Sequence, residues 1–190
     1  VSGTSVAQDF VELPSQIMEH WAVEPEVLKL YAKHYETREV IPDELITKIQ
    51  NQGTFNQGFM TTELWAAALL DMDLHNLTDT DHLNVVAFEK ETMDKLGLIP
   101  EIAPRYRATY FSHIIGGYAA GYYSYLWAEV LDTDAFEAFK EHGVFDKNTA
   151  DSFRKNILEK GGTEDPMTLY RGFRGADPSL EPLLKNRGLK

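Results

Sequence analysis

Apolar residues recur every three or four positions along nearly the whole chain, and no run of β-branched residues alternates as a half-buried strand would. That spacing confines the chain to helices. Phe10, Leu13, Ile17 and Trp21 draw one apolar stripe from about Ser5 to Ala22. Pro14 lies inside it; lacking an N–H and clashing with the preceding turn, it predicts a kink or a restart, with Leu13 displaced from ideal helix. Pro25 opens a second helix reaching Tyr35, and Pro42-Asp43-Glu44 opens a third, with acidic residues at the positive end of the dipole, that stops near Gly53. Thr61 to His75 reads as a longer helix with Leu64, Ala67, Ala68 and Leu69 on its apolar face. Asp79 to Leu96 is the next, ended by Gly97, followed later by Asp134 to His142 and Asp146 to Lys160. Thr163-Glu164-Asp165-Pro166 starts a helix through Phe173, and Pro178 starts a short last one. The expectation is an all-α fold, with residues 1–190 as one all-helical segment of eight or nine helices.

Composition removes several classes of function. The 190 residues include 18 basic and 30 acidic side chains, a formal charge of −12, with no stretch of clustered Lys and Arg. A nucleic-acid footprint is therefore not expected, because it needs basic residues to displace counterions. The absence of cysteine excludes a disulfide scaffold, a Cys-ligated metal site and a cysteine nucleophile, and leaves the redox compartment open. Val1-Ser2-Gly3-Thr4 has neither an initiator Met nor the order of a signal peptide, which suggests a fragment or a processed product. Ala108 to Ala128 carries no Asp, Glu, Lys or Arg over 21 residues and holds Gly117-x-x-x-Gly121. His113, two Ser, five Tyr spread through its middle and the Gly116-Gly117 break weigh against a membrane span and for a helix-loop-helix.

Metal chemistry has few local candidates. The histidines are His20, His34, His75, His82, His113 and His142, the closest pair seven apart, so His-Glu-x-x-His does not occur, and no Glu stands three before any of them, so neither does Glu-x-x-His. A metal site built on this chain must borrow ligands from elsewhere. Glu12 is the carboxylate crowded by apolar residues, with Asp9 three before it and Glu19 seven after; a solvated acidic stripe is the plainer reading. The window from Arg105 to Trp127 mixes glycines with phenols. Each Gly in a helix costs about 1 kcal/mol relative to Ala, so Gly116, Gly117 and Gly121 imply a mobile loop or a close backbone approach. Tyr118, Tyr122 and Tyr125 would share one face if helical, and a neutral phenol suits a developing oxyanion; a tyrosine-rich packing face is the competing reading.

Three ordered segments resemble the thimet-oligopeptidase family of zinc metallopeptidases. Asp9-Phe10-Val11-Glu12-Leu13-Pro14-Ser15-Gln16 with Glu19-His20-Trp21-Ala22 is similar to the segment that follows the family's His-Glu-x-x-His helix. Phe111-Ser112-His113 and Gly116-Gly117-Tyr118-Ala119-Ala120-Gly121-Tyr122-Tyr123-Ser124-Tyr125-Leu126-Trp127 resemble its tyrosine loop. Phe153-Arg154-Lys155-Asn156-Ile157-Leu158, Gly161-Gly162-Thr163-Glu164-Asp165-Pro166 and Arg187-Gly188-Leu189 resemble its C-terminal pattern. The first segment, with Leu69-Leu70-Asp71-Met72, looks closest to the bacterial peptidyl-dipeptidase branch.

The resemblance implies that Glu12 is the third zinc ligand, with Asp9 and Glu19 as residues that orient ligands. His113, Tyr118 and Tyr125 match positions near the scissile bond, Tyr125 being the one suited to the oxyanion. Tyr122 and the glycines Gly116, Gly117 and Gly121 match substrate-contacting positions of a loop that closes over a peptide. The family's two zinc histidines and general-base Glu have no counterpart here, and one carboxylate cannot hold catalytic Zn²⁺. The expectation is therefore the C-terminal half of a zincin-like catalytic domain, inactive alone. Its partners would be a short peptide, releasing C-terminal dipeptides, and an upstream part of the same polypeptide. A standalone helical peptide-binding module and an endo-acting oligopeptidase are the alternatives. Arg105, Arg107 or a loop tyrosine would read the substrate carboxylate, and the cytoplasm, with the periplasm as alternative, is the compartment expected.

Overall fold

In a computed structural model that describes residues 2–190, the chain is all-α, as its periodicity requires. The helices are α1 (Leu13–Val23), α2 (Pro25–Tyr31), α3 (Asp43–Gln52), α4 (Gln57–His75), α5 (Val85–Leu96), α6 (Ser124–His142), α7 (Lys147–Phe153), α8 (Pro166–Arg174) and α9 (Glu181–Asn186). Two 3₁₀ turns, Ala108–Tyr110 and Ser112–Ile115, precede α6, and a five-residue π segment, Arg154–Leu158, continues α7. The extended pairing among the described residues is an isolated antiparallel bridge between Lys33 and Val40. No helix among them is long and apolar enough to cross a membrane.

Several helix ends follow from local chemistry. Pro14 falls in the first turn of α1, so the stripe breaks into a turn before Leu13 and a helix after it. The Asn84 side chain accepts the Ala87 N–H and starts α5 six residues later than Asp79. Asp165 accepts from the N–H groups of Met167 and Thr168 and so fixes the start of α8. α2 is shorter than the expected Pro25–Tyr35, because Lys33 leaves the helix to bridge Val40. α4 begins at Gln57 rather than Thr61, after a left-handed Asn56 at φ 55°. The largest difference is α6, where Ser124–His142 is one continuous helix rather than a helix confined to Asp134–His142.

The chain divides into two compact units. The first runs through Phe55 and resumes at Leu126, and it holds the main core: Phe10, Leu13 and Ile17 against Leu131, Ala135, Phe136 and Phe139, with Phe153, Ile157, Leu169 and Tyr170. The Trp21 indole packs edge-on at 4.7 Å from Phe136 and 4.6 Å from Phe139, and its N–H donates to the Val144 carbonyl. Three carboxylates of α6 sit at the edge of this core, and each has a specific partner. Arg187 grips both oxygens of Glu129, Gln16 and His20 hold Asp132, and the Tyr170 hydroxyl donates to Asp134 at 2.6 Å. These long-range pairs keep an acidic helix buried.

The second unit, Asn56–Tyr125, packs α4 against α5 and the first 3₁₀ turn. Ala66, Ala67 and Ala68 are buried, and their small side chains let the backbones come close. Glu89 of α5 is buried as well, with one oxygen accepting the Ala108 N–H at 2.7 Å and the other meeting Arg107 Nε at 2.7 Å. That carboxylate fixes where the tyrosine-bearing segment starts.

Candidate active site

Within the second unit, His113, Tyr118, Tyr122 and Tyr125 come together in one aromatic cluster. The His113 ring lies edge-on to all three phenols, with centroids 5.8 Å from Tyr118, 5.4 Å from Tyr122 and 6.3 Å from Tyr125. Tyr118 stacks on Tyr125 at 5.2 Å, and Tyr122 is edge-on to Tyr125 at 5.2 Å. The shared helical face considered for these tyrosines is not how the cluster forms, since residues 116–123 are successive turns and only Tyr125 lies on α6. Loop closure brings them together instead. The Tyr118 N–H donates to the His113 carbonyl at 3.1 Å and the Gly121 N–H to the Tyr118 carbonyl at 2.9 Å. Both the N–H and the hydroxyl of Ser124 donate to the Gly121 carbonyl, which launches α6 at that point.

The glycines differ in setting. Gly116 and Gly117 are exposed, and an added Cβ at Gly117 would meet nothing within 4 Å, so no packing demand explains that glycine. Gly121 is buried. Ala120 holds φ 50°, the left-handed region that an L-residue enters at a cost of about 1–2 kcal/mol.

Tyr106 belongs to the cluster although spacing gave it no role. It stacks on Phe111 at 4.9 Å, lies 5.3 Å from His113 and stands edge-on to Tyr122 at 6.4 Å. It falls inside the Arg105–Trp127 window but outside the 118, 122 and 125 spacing. Arg105 lies 6.0 Å from the Tyr106 ring centre and 3.7 Å from Glu63, whereas Arg107 is held by Glu89. Burial pushes the Tyr122 phenol up to about 12, against the pull of the Arg105 guanidinium, so Tyr122 is a neutral donor at physiological pH. Among the described residues, Nδ1 of His113 is buried without a hydrogen-bond partner, which costs about 1–3 kcal/mol and marks a polar atom not spent on the fold.

Glu12 belongs to the first unit, at the N-terminal boundary of α1, half-buried beside buried Phe10 and Leu13. The Ser15 hydroxyl donates to Glu12 Oε2 at 2.5 Å and to its carbonyl at 2.9 Å, which orients the carboxylate. Asp9 is half-buried in the preceding turn and Glu19 is exposed on α1. Among the described residues, no three His, Cys, Asp or Glu side chains gather into a metal site. Glu12 thus fits zinc as one oriented ligand of a larger set, and not as a site by itself.

The profile of Peptidase family M3 matches residues 1–189. The chain is 46% identical over 196 aligned residues to "Dipeptidyl carboxypeptidase" of Escherichia coli (strain K12), covering all of this chain and 28% of that protein. It is 42% identical to "Oligopeptidase A" of the same organism, again covering all of this chain and 28% of the relative. "Organellar oligopeptidase A, chloroplastic/mitochondrial" of Arabidopsis thaliana is 40% identical over 97% of this chain and 24% of its own length. The chain spans about a quarter of the length of these relatives. With the match running over nearly every residue, the chain belongs to peptidase family M3.

Proposed function

We propose that these residues form the C-terminal half of the catalytic domain of a zinc peptidase that hydrolyses short peptides and releases C-terminal dipeptides. The observation that carries the reading is the convergence of His113, Tyr118, Tyr122 and Tyr125 around a histidine nitrogen that has no hydrogen-bond partner among the described residues. Three phenols and an imidazole in one cluster offer hydrogen-bond donors where a carbonyl oxygen gains charge. Tyr125, at the start of a rigid helix, donates to that oxygen, and Tyr118 stacked on it holds the ring at its angle. Tyr122 and His113 orient the peptide beside it. Gly116 and Gly117 let the exposed part of the loop close. Glu12 supplies one zinc ligand, oriented by Ser15, and the imidazole ligands and general base come from an upstream part of the same polypeptide. Zinc, when bound, supplies a Lewis acid and a water whose pKa falls near neutral. The 190-residue chain alone is inactive on this reading.

Arg105 is the group that reads the substrate's terminal carboxylate. Arg107 is committed to buried Glu89 at 2.7 Å, whereas Arg105 stands over the Tyr106 ring beside the cluster. The "Oligopeptidase A" relative, only slightly less similar, supports a second reading, cleavage without a demand for a free C-terminus. Mixing the chain with an upstream fragment bearing His-Glu-x-x-His tests the proposal: restored cleavage, lost in Glu12→Gln, is expected. Dipeptide products from free peptides, and none from the same peptides amidated at the C-terminus, are expected of the first specificity. Equal cleavage of both forms would establish the second. Failure of any reconstituted or full-length protein to cleave peptides would leave a helical binding module.

A further inference from the structure

Asp71 is the most completely buried acidic side chain near the tyrosine cluster, with no exposed surface, one turn before the C-terminal end of α4. A carboxylate in that position costs several kcal/mol unless every lone pair finds a donor. Here the donors come from the loop, about fifty residues further along the chain. Oδ1 accepts the Ala120 N–H at 3.0 Å and Oδ2 accepts the Tyr122 N–H at 2.9 Å. His75, one turn on in the same helix, places Nδ1 at 2.8 Å from Oδ1 and 2.9 Å from the Asp71 carbonyl. Both neighbours are acceptors, so Nδ1 carries the proton.

We propose that Asp71, locked by His75, is the positioning residue of the tyrosine loop, clamping the backbone at Ala120 and Tyr122 so that Tyr118, Tyr122, Tyr125 and His113 keep their mutual geometry. Three features separate this role from generic packing. The clamp grips the loop at the left-handed Ala120, a conformation that persists only where the surroundings enforce it. It grips on both sides of Gly121, whose own N–H returns to Tyr118, so three successive N–H groups are fixed in direction. A buried apolar residue would fill the same space but leave two amides without an acceptor, whereas the carboxylate sets the direction of both at once. The clamp fixes one end of the loop and leaves Gly116 and Gly117 exposed at the other, so closure pivots on the glycines.

The proposal rests on the peptidase reading, and its test separates the two. Asp71→Asn keeps the volume and turns one acceptor into a donor facing an amide. In the full-length enzyme it is expected to lower kcat by about 10- to 100-fold, the scale of an ångström-sized misplacement, with KM changed by less than about threefold. Amide hydrogen exchange should speed up at Ala120 and Tyr122 while α4 and α5 stay protected. His75→Ala changes a partly exposed residue and should show the same pattern at smaller amplitude; it decides the matter if Asp71→Asn does not fold. A folded variant with unchanged kcat would overturn the positioning role, as would a loss of kcat with exchange raised evenly through α4 and α5. If the unsubstituted full-length enzyme cleaves no peptide, the peptidase reading falls, and the exchange at Ala120 and Tyr122 alone decides whether Asp71 holds the loop.

Discussion

The rings of Tyr118 and Tyr125 lie nearly parallel, 6° apart in plane with centroids 5.2 Å from one another. One ring sits on a turn of the loop and the other on the first turn of α6, so the stack joins the movable part of the cluster to its rigid part. The phenol on the helix is the better-fixed of the two, and the phenol on the loop already lies against it.

Tyr125→Phe in the full-length enzyme removes the donor and keeps the stack. Loss of one oxyanion donor costs about 10²–10³-fold in kcat, and KM should change little. Steady-state kinetics on a quenched peptide check this, and an effect confined to KM would assign Tyr125 to ground-state binding.

Glu12→Gln should abolish stoichiometric zinc in the full-length enzyme, measured by metal analysis after dialysis. Ser15→Ala tests the orientation of the ligand separately, because the Ser15 hydroxyl bonds directly to Oε2. Loss of such an outer partner is expected to weaken zinc binding by about 10- to 100-fold. Unchanged zinc affinity in both variants would remove Glu12 from the ligand set.

Asp132 gives stability a defined pH dependence. Burial raises its carboxyl to about 6, and the hydrogen bond from His20 works in the opposite direction. The folded state therefore holds this proton more tightly than the unfolded chain, whose carboxyl titrates near the ordinary value of 3.8. The contribution favours folding below the unfolded value and is lost as pH rises from about 4 through about 6. Asp132→Asn should remove that decline from a plot of melting temperature against pH. Identical pH profiles for the two proteins would show that Asp132 is not the titrating group.

Gly162→Ala should destabilise the first unit strongly, because a Cβ there would lie 2.2 Å from the Ser5 carbonyl oxygen, a backbone atom that cannot swing aside. A loss of about 1–3 kcal/mol in urea unfolding is expected. Gly117→Ala, with nothing within 4 Å of its Cβ, is the control and should leave stability nearly unchanged. A similar loss in both would point to backbone freedom rather than the contact.

Local sequence determined the helical class and most helix ends, since a cap, a first-turn proline or a terminal glycine acts within four residues. Pro14 at the start of α1, Asp165 before α8 and Gly53 after α3 are each readable in that way. The oddity of phenols among glycines also singled out the three tyrosines, and the family resemblance added His113. Tertiary structure decided what those residues do together. Asp71 reaches Ala120 and Tyr122 across about fifty positions, Glu89 reaches Ala108, and Tyr106 stacks on Phe111 and stands edge-on to Tyr122. The continuity of α6 likewise rests on partners far away, Arg187 for Glu129 and Tyr170 for Asp134. A buried carboxylate looks in sequence like any solvated one, because its cost is settled by donors that only the folded chain brings within reach.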